Sequence, residues 1–260
     1  MFETLLMATE GPVRTVTINR PERLNALSTT VFAELDRALD ETAAAWPEVR
    51  VAVLKGAGEK AFVAGADVKE MAEMTRAQAE ARSWSGMRLY DKMRRLPQPL
   101  VASIQGYALG GGMLIALACD VRVASERATF GYPEIRLGLI PGTGGTVLLD
   151  RLIGPAAARA ICLLGDHFPA ERAYQLGIVN RLVTPDRLAA ETDAVAAILA
   201  GYSPLAVAEL KRALNASLER GFEAARAEEI AAYGRVFASE DRREGTAAFV
   251  EKRKPVFRGC

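Results

Sequence analysis

The stretch PLVASIQGYALGGGMLIALAC, residues 99–119, contains the pattern that decides the fold. Its first part, residues 99–104, is an apolar run that predicts a strand buried on both faces. The glycines at 110–112 then predict a tight turn, and residues 113–119 predict a helix. A strand, a glycine turn and a helix in direct succession are typical of α/β folds with a parallel sheet.

The same succession recurs on the N-terminal side. Residues 13–19 alternate and are rich in Val, Ile and Thr, which predicts a strand. A helical stripe of apolar side chains follows over residues 31–43, with Ser28 as its N-cap. Residues 49–54 predict a second buried strand, which again leads into a helical region.

That second helical region is predicted to run from residue 67 to about residue 95. Asp67 and Glu70 have the spacing of a capping box at its start. Beyond the central stretch, the sequence predicts further strands at residues 121–124, 128–130 and 178–183.

The chain divides by pattern into two regions. Residues 1–200 alternate strands and helices and are predicted to form an α/β core. Residues 201–260 are predicted to be helical throughout, and the segments 204–218 and 221–238 carry apolar residues on one side and charged residues on the other. Such helices pack against a core or against another subunit.

The charge balance and the single histidine exclude several function classes. The chain has 33 Lys and Arg against 32 Asp and Glu, so no net field draws it to nucleic acid or to a membrane surface. His167 is the only histidine, which excludes His-Cys zinc sites and two-histidine metal centres, and we expect no metal. It lies in a turn-like segment, and the sequence has no GxSxG elbow, P-loop or strand-linked GxGxxG.

The apolar stretch at residues 108–119 is shorter than the roughly 18–20 residues that a membrane-spanning helix needs. The N-terminal residues show neither a secretory signal nor a transit peptide, so the expected location is the cytoplasm. The three cysteines are an odd number without CxxC spacing, and we expect them to be reduced, structural thiols.

Two glycine-bearing turns and one glutamate are the candidate catalytic groups. The turns Ala64-Gly65-Ala66-Asp67 and Leu109-Gly110-Gly111-Gly112-Met113 each lead from a buried strand into a helix, and helix N-termini expose unpaired N–H groups. Two such turns side by side make an oxyanion hole, whereas each turn alone is equally explained by tight packing. Glu134 follows Pro133 among apolar residues, and burial raises a carboxyl pKa toward the range useful for acid or base catalysis; a helix first-turn glutamate is the alternative.

These segments, in this order, closely resemble the crotonase superfamily of enoyl-CoA hydratases and isomerases. The resemblance runs over almost the whole chain. It rests on Asn19-Arg20-Pro21, Leu24-Asn25-Ala26-Leu27, Phe62-Val63-Ala64-Gly65-Ala66-Asp67, Gly106-Tyr107-Ala108-Leu109-Gly110-Gly111-Gly112, residues 130–138, Ile140-Pro141-Gly142 and residues 249–254.

The resemblance implies an α/β fold with a crotonase-like core, a superhelix of repeated ββα turns, followed by a C-terminal helical trimerisation region. It implies a homotrimer or a hexamer built as a dimer of trimers, and an acyl-CoA thioester of fatty acid metabolism as substrate. Coenzyme A is then part of the substrate, with no separate cofactor. The backbone N–H groups of Ala66 and Gly111 would hold the thioester oxygen and stabilise an enolate.

The resemblance also implies a set of substrate-binding residues. Phe249 and Lys252 would reach the coenzyme A from a neighbouring subunit, although a lysine such as Lys69 or Lys252 is equally common on a solvated helix face. The residues implied to border the substrate are Arg23, Leu24, Ala64, Asp67, Lys69 and Leu114.

One position departs from the two-glutamate hydratases that the chain resembles. Their first glutamate lies three residues after the middle glycine of the GGG turn, where this chain has Leu114, and their second, twenty residues later, is Glu134. Leucine neither activates water nor delivers a proton, so hydration by the usual pair is put in doubt. A single carboxylate is sufficient to move a double bond, which makes Δ3,Δ2-enoyl-CoA isomerisation by Glu134 the leading hypothesis.

Three alternatives stay open at this point. The chain is a 2-enoyl-CoA hydratase if Glu134 acts alone or if another acid, such as Asp67 or Asp120, enters the site. Another enolate reaction, such as decarboxylation or thioester hydrolysis, is the second. A non-catalytic acyl-CoA-binding or scaffold protein is the third. Trp84, Met87 and Tyr90 either line the acyl pocket or belong to the core, since their helical spacing fits both.

Overall fold

The computed structural model describes residues 1–260 and contains ten strands in two sheets. The strands are β1 (Leu5–Glu10), β2 (Val13–Ile18), β3 (Val51–Gly56), β4 (Ala61–Val63), β5 (Leu100–Ile104), β6 (Tyr107–Leu109), β7 (Val121–Ser125), β8 (Thr129–Gly131), β9 (Phe168–Pro169) and β10 (Arg181–Val183).

The larger sheet has the order β1-β2-β3-β5-β7-β10, and the smaller has the order β4-β6-β8-β9. Only β1 against β2 and β8 against β9 are antiparallel, and every other pair is parallel. In the three central pairs, β3/β4, β5/β6 and β7/β8, the first strand belongs to the larger sheet and the second to the smaller one. This alternation generates a superhelix of ββα turns, and the predicted α/β class with a parallel sheet is confirmed.

Eleven α-helices accompany the strands. They are α1 (Thr29–Ala44), α2 (Val68–Ala72), α3 (Arg76–Arg95), α4 (Gly111–Ala118), α5 (Gly145–Ile153), α6 (Pro155–Leu164), α7 (Ala170–Gln175), α8 (Leu188–Ala200), α9 (Pro204–Glu219), α10 (Phe222–Ala238) and α11 (Glu240–Glu251).

Local signals place most elements where the sequence predicts them. The Ser28 hydroxyl accepts a hydrogen bond from the Val31 N–H and caps α1, as expected. The buried strand expected at residues 49–54 lies slightly later, at β3. Strands β1, β6 and β9 are not predicted from the sequence; β6 and β9, with three and two residues, are too short to show a period. The helical region predicted to extend to residue 260 ends with α11 at Glu251.

The capping box predicted from Asp67 and Glu70 is wrong. Asp67 precedes α2 but makes no capping hydrogen bond, because its carboxylate pairs with the Arg20 guanidinium at 3.3 Å. Glu70 instead accepts hydrogen bonds from the backbone N–H and the hydroxyl of Thr29. Tertiary partners outcompete the local motif, and the helix that follows, α3, carries a capping box of its own at Thr75.

The main core lies between the two sheets and the helices α1, α3 and α4, and a smaller apolar cluster lies under α8. Helices α9, α10 and α11 expose a series of large apolar side chains, among them Leu210, Leu214, Phe222, Ile230, Tyr233, Phe237 and Phe249. No single helix has the length and apolar character of a membrane span, and the one pair that meets both tests together, Pro185–Ala200 with Pro204–Glu219, is bent by 103°.

Candidate active site

The two glycine turns lie against each other. A Cβ on Gly112 would overlap the carbonyl oxygen of Val63 and would lie 2.7 Å from the Val63 Cβ. A Cβ on Gly65 would lie 3.4 Å from the carbonyl oxygen of Leu109. Glycine at these positions lets the end of β4 approach the start of α4 more closely than any side chain allows. The two turns that the sequence singles out are therefore brought together.

Leu27 fixes the direction of the Ala66 N–H group. The Leu27 N–H donates to the Gly65 carbonyl at 2.8 Å, and the Leu27 carbonyl accepts from the Asp67 N–H at 3.0 Å. In this parallel bridge the Gly65 carbonyl and the Asp67 N–H both point toward Leu27. The N–H of Ala66 therefore points to the opposite side. That N–H donates no hydrogen bond within the protein.

Gly111 provides the second free donor. It is the first residue of α4, and the N–H of a first helical residue has no partner within its own helix. The preceding Gly110 has φ 52° and ψ −122°, a conformation that side chains other than glycine rarely adopt. The turn thus directs the positive end of the α4 dipole, with its unpaired N–H, toward the other turn.

Strand pairing places Glu134 beside the GGG turn. Leu109 of β6 pairs with Gly131 of β8, and the Gly110 N–H donates to the Gly131 carbonyl at 2.9 Å. A short 3-10 helix, Pro133–Leu137, begins directly after β8. Its first turn carries Glu134, whose Oε1 lies 2.8 Å from the place where a Cβ of Gly110 would stand.

Glu134 has the electrostatics of a buried acid. Burial raises the pKa of its carboxyl above the usual value of 4.5, against a smaller lowering by its own backbone N–H. No other carboxylate contributes to this shift. Its Oε2 is buried and has no hydrogen-bond partner in the protein, so this oxygen is available to a ligand.

No second free carboxylate accompanies Glu134. Leu114 supplies no acid, and the two candidate aspartates, Asp67 and Asp120, are held in ion pairs. Leu114 is buried in the main core, on the first turns of α4. Asp120 follows the opposite end of α4, about 12 Å along the axis from Gly111, and its carboxylate binds Lys211 at 2.7 Å. Asp67 lies next to Ala66, yet its carboxylate pairs with Arg20.

The remaining residues of the expected binding set fall into two groups. Leu24 follows a 3-10 turn that ends at Arg23, and its carbonyl accepts from the Ala64 N–H at 3.0 Å, so this loop lies against the first glycine turn. Lys69 is exposed on α2 close by. Phe249 and Lys252 lie at the end of α11, which packs on α10 rather than on the helices and strands of the site.

Two buried tyrosines lie in the neighbourhood of Glu134. Tyr90 of α3 is buried, and its hydroxyl lies 3.8 Å from the place where a Cβ of Gly111 would stand. Tyr132 is buried two residues before Glu134 and was not singled out from the sequence, although it lies inside the Glu134 segment. Trp84, by contrast, is 62% exposed on α3, so only part of the expected pocket-lining set is buried.

No group of three or more His, Cys, Asp or Glu side chains has an arrangement suited to a metal ion. His167 is exposed, as expected, and lies near the ring of Tyr107. The three cysteines are unpaired.

The chain is similar to known proteins over almost its full length. The sequence profile described as "Enoyl-CoA hydratase/isomerase" matches residues 8–260. The chain is 39% identical over 253 residues to a short-chain-enoyl-CoA hydratase of Clostridium acetobutylicum, covering 97% of each chain. It is 42% identical over 257 residues to a probable enoyl-CoA hydratase of Rhizobium meliloti, covering 99% of this chain and 98% of that one.

The fold is equally similar to solved structures. The crystal structure of an enoyl-CoA hydratase from Bacillus anthracis superposes with a TM-score of 0.95 at 36% identity, covering 99% of this chain and 100% of that one. An enoyl-CoA hydratase subunit from Geobacillus kaustophilus superposes with a TM-score of 0.93 at 41% identity, covering 100% and 99%.

Proposed function

The chain belongs to the enoyl-CoA hydratase/isomerase family, and from that premise we propose that it is a Δ3,Δ2-enoyl-CoA isomerase in which Glu134 is the only proton carrier. The observation that carries the proposal is that only one of the two carboxylates at the paired glycine turns, that of Glu134, is free of an ion pair, since Asp67 pairs with Arg20. Its substrate is an acyl-CoA thioester, and coenzyme A enters as part of that substrate.

The proposed reaction begins with proton removal. The Glu134 carboxylate takes a proton from C2 of a 3-enoyl thioester, and the electron pair of that C–H bond moves into the thioester to form a dienolate. The N–H groups of Ala66 and Gly111 hold the negative oxygen. Each such donor typically contributes about 2.7–4 kcal/mol to the stability of a transition state.

The second step returns the same proton. The Glu134 carboxylic acid protonates C4, the C2–C3 double bond forms, and the dienolate oxygen becomes a carbonyl again. A raised pKa suits both steps, because the carboxyl must accept and release a proton near neutral pH. Leu114 supports this path, since an apolar side chain next to the dienolate gives water no hydrogen-bonding position.

Hydration of a 2-enoyl thioester is the second candidate. It is favoured by the relatives, many of which are named enoyl-CoA hydratases. In this chain it would require Glu134 both to activate water and to deliver a proton, since Asp67 and Asp120 are held by Arg20 and Lys211. Those ion pairs favour isomerisation over hydration.

We further propose that the chain assembles as a homotrimer or as a hexamer of two trimers. The exposed apolar residues of α9, α10 and α11 support a partner copy on these helices. Phe249, which is 85% exposed, and Lys252 would then reach the substrate of a neighbouring subunit from the end of α11, which packs on α10 in its own chain.

The test is product analysis on two substrates. Purified protein is incubated with trans-3-hexenoyl-CoA and, separately, with trans-2-hexenoyl-CoA, and products are followed by chromatography and mass. We expect conversion of the 3-enoyl to the 2-enoyl thioester without a mass gain. Glu134→Gln should lower that rate by about 10²- to 10⁴-fold, whereas Glu126→Gln, an exposed glutamate before β8, should leave it unchanged. A water adduct as the main product would instead establish hydration.

A further inference from the structure

Four buried side-chain polar atoms of this protein have no hydrogen-bond partner. They are Tyr90 Oη, Gln98 Oε1, Tyr132 Oη and Glu134 Oε2. Buried polar groups in folded proteins are almost always paired, so each exception needs a physical explanation. Three of the four belong to one cluster, since Tyr90 and Tyr132 both lie close enough to Glu134 to interact with its charge. The isomerase reaction proposed above uses only Glu134.

The Tyr90 hydroxyl lies close to Gly111 of the GGG turn. The place where a Cβ of Gly111 would stand is 3.8 Å from Tyr90 Oη and 3.0 Å from Leu27 Cδ1. Glu134, in contrast, faces the neighbouring Gly110. The carboxylate and the phenol therefore lie at adjacent residues of the turn whose Gly111 N–H would hold the thioester.

Tyr90 is a hydrogen-bond donor at neutral pH. Burial raises the pKa of its hydroxyl well above the usual range, and the smaller lowering by Thr143 and Arg82 does not offset this. The Thr143 side chain approaches Tyr90 without completing a hydrogen bond. The proton thus stays on the phenol, and no group of the protein accepts it.

The Tyr132 hydroxyl has a different location. It lies 2.8 Å from the place where a Cβ of Gly145 would stand, and Gly145 is the first residue of α5. It therefore faces the start of a helix rather than Gly111. Tyr132 serves as a matched control for Tyr90, because both are buried phenols without a partner.

We propose that the acyl group bound at this site carries a hydrogen-bonding oxygen beyond the thioester, a hydroxyl or a carbonyl, and that the Tyr90 hydroxyl donates to it. The inference rests on the proposed binding of an acyl-CoA at Ala66 and Gly111. A plain hydrocarbon chain in contact with Tyr90 would leave a buried donor unpaired, since the Thr143 side chain approaches the phenol without completing a hydrogen bond. An oxygen on the acyl chain satisfies that donor.

The unpaired Tyr90 donor predicts a difference in affinity between ligands with and without the additional oxygen. A buried neutral donor without a partner is energetically unfavourable. A ligand that accepts its hydrogen bond should therefore bind roughly ten- to hundredfold more tightly than a ligand that does not. Tyr90→Phe removes the donor and therefore the preference. It does not remove the free N–H groups of Ala66 and Gly111, which hold the thioester in both cases.

The experiment measures binding of saturated ligands, which undergo no proton transfer. Calorimetry compares hexanoyl-CoA with 4-oxo-, 5-hydroxy- and 6-hydroxyhexanoyl-CoA on the wild type, on Tyr90→Phe and on Tyr132→Phe. We expect at least one oxygenated ligand to bind about tenfold or more tightly than hexanoyl-CoA to the wild type. The preference should disappear in Tyr90→Phe and persist in Tyr132→Phe.

Several outcomes overturn the inference. Equal or weaker binding of every oxygenated ligand by the wild type does so without any variant, which covers the case of a variant that fails to fold. If the preference persists in Tyr90→Phe, or disappears only in Tyr132→Phe, Tyr90 is not the hydrogen-bond donor to the acyl oxygen. Absence of isomerase activity leaves the binding result intact, so the proposed reaction and this inference fail separately.

Discussion

Oε1 of Glu134 lies 2.8 Å from the point that a Cβ of Gly110 would occupy. The carboxylate uses space that exists only because residue 110 has no side chain. Gly110 also has φ 52°, so the same residue provides the backbone conformation of the turn and the room for the acid. The GGG turn and the carboxylate proposed as the proton carrier are therefore one structural unit, joined by the pairing of β6 with β8.

Gly110→Ala is expected to lower isomerase activity by about 10²-fold or more, because the new methyl group displaces the carboxylate from its place. The measurement is kcat/KM on trans-3-hexenoyl-CoA. Gly11→Ala is the matched control, since Gly11 also has a positive φ but a Cβ there meets nothing within 4 Å. Near-normal activity of Gly110→Ala would show that the carboxylate does not act from this position.

Glu134→Gln is expected to stabilise the protein at pH 7 while it lowers turnover. A carboxyl pKa raised by burial means that the folded state binds the proton more tightly than the unfolded chain does. Stability is then lost as the pH rises from below the usual value of 4.5 through the raised value, and the neutral amide escapes this loss. Calorimetric Tm values should show the variant above the wild type at pH 7, with the difference vanishing below pH 4.5. A variant that is less stable at pH 7 would contradict the assigned desolvation.

Leu114→Glu is expected to introduce hydration of trans-2-hexenoyl-CoA, raising it by about 10²-fold over the wild type. The new carboxylate places a second acid on α4, at the position where the resemblance to the two-glutamate hydratases implies one. Leu114→Gln has the same size without the acid and should show no gain. The water adduct is quantified by mass, and an equal gain in both variants would mean that polarity rather than proton transfer is responsible.

Asp120→Asn is expected to lower the free energy of unfolding by about 3 kcal/mol, because it leaves the buried Lys211 ammonium without its counter-charge. Lys211 binds Asp120 at 2.7 Å with a side chain that is 7% exposed. Asp40→Asn, which removes an exposed partner of Lys92, should cost less than about 1 kcal/mol. Urea unfolding measures both, and a loss of turnover in Asp120→Asn without loss of stability would return Asp120 to the list of candidate acids.

Much of the site is encoded in local sequence. Strand, glycine turn and helix follow one another within residues 99–119, and a local pattern of this kind is enough to predict the fold class and a helix N-terminus with free N–H groups at the turn. Glu134 is predicted from its apolar neighbours after Pro133 and from the family resemblance, whereas the strand pairing that brings it to the turn is visible only in the fold. The long-range contacts could not be predicted from this pattern.

Leu27 and Tyr90 illustrate that limit. Leu27 orients Ala66 through two backbone hydrogen bonds, and backbone hydrogen bonds leave no mark on the identity of the side chain. Tyr90 has the spacing of an ordinary core residue on α3, and only the fold shows that its hydroxyl reaches Gly111 unpaired. The predicted capping box at Asp67 is wrong for a related reason. Its two carboxylates, those of Asp67 and Glu70, bind Arg20 and Thr29, which are distant in sequence.

The two N–H groups at Ala66 and Gly111 belong to the main chain, which separates two tasks that many enzymes combine in the same side chains. Substitutions at positions 90, 114 and 134 leave these amides in place, so in the proposed mechanism they change the proton transfers and the pocket without removing the two donors that would hold an enolate oxygen. A scaffold of this kind can acquire a new reaction through single substitutions while each intermediate variant still binds and polarises a thioester. The close contact of Gly112 with Val63 is the part that such diversification has to preserve.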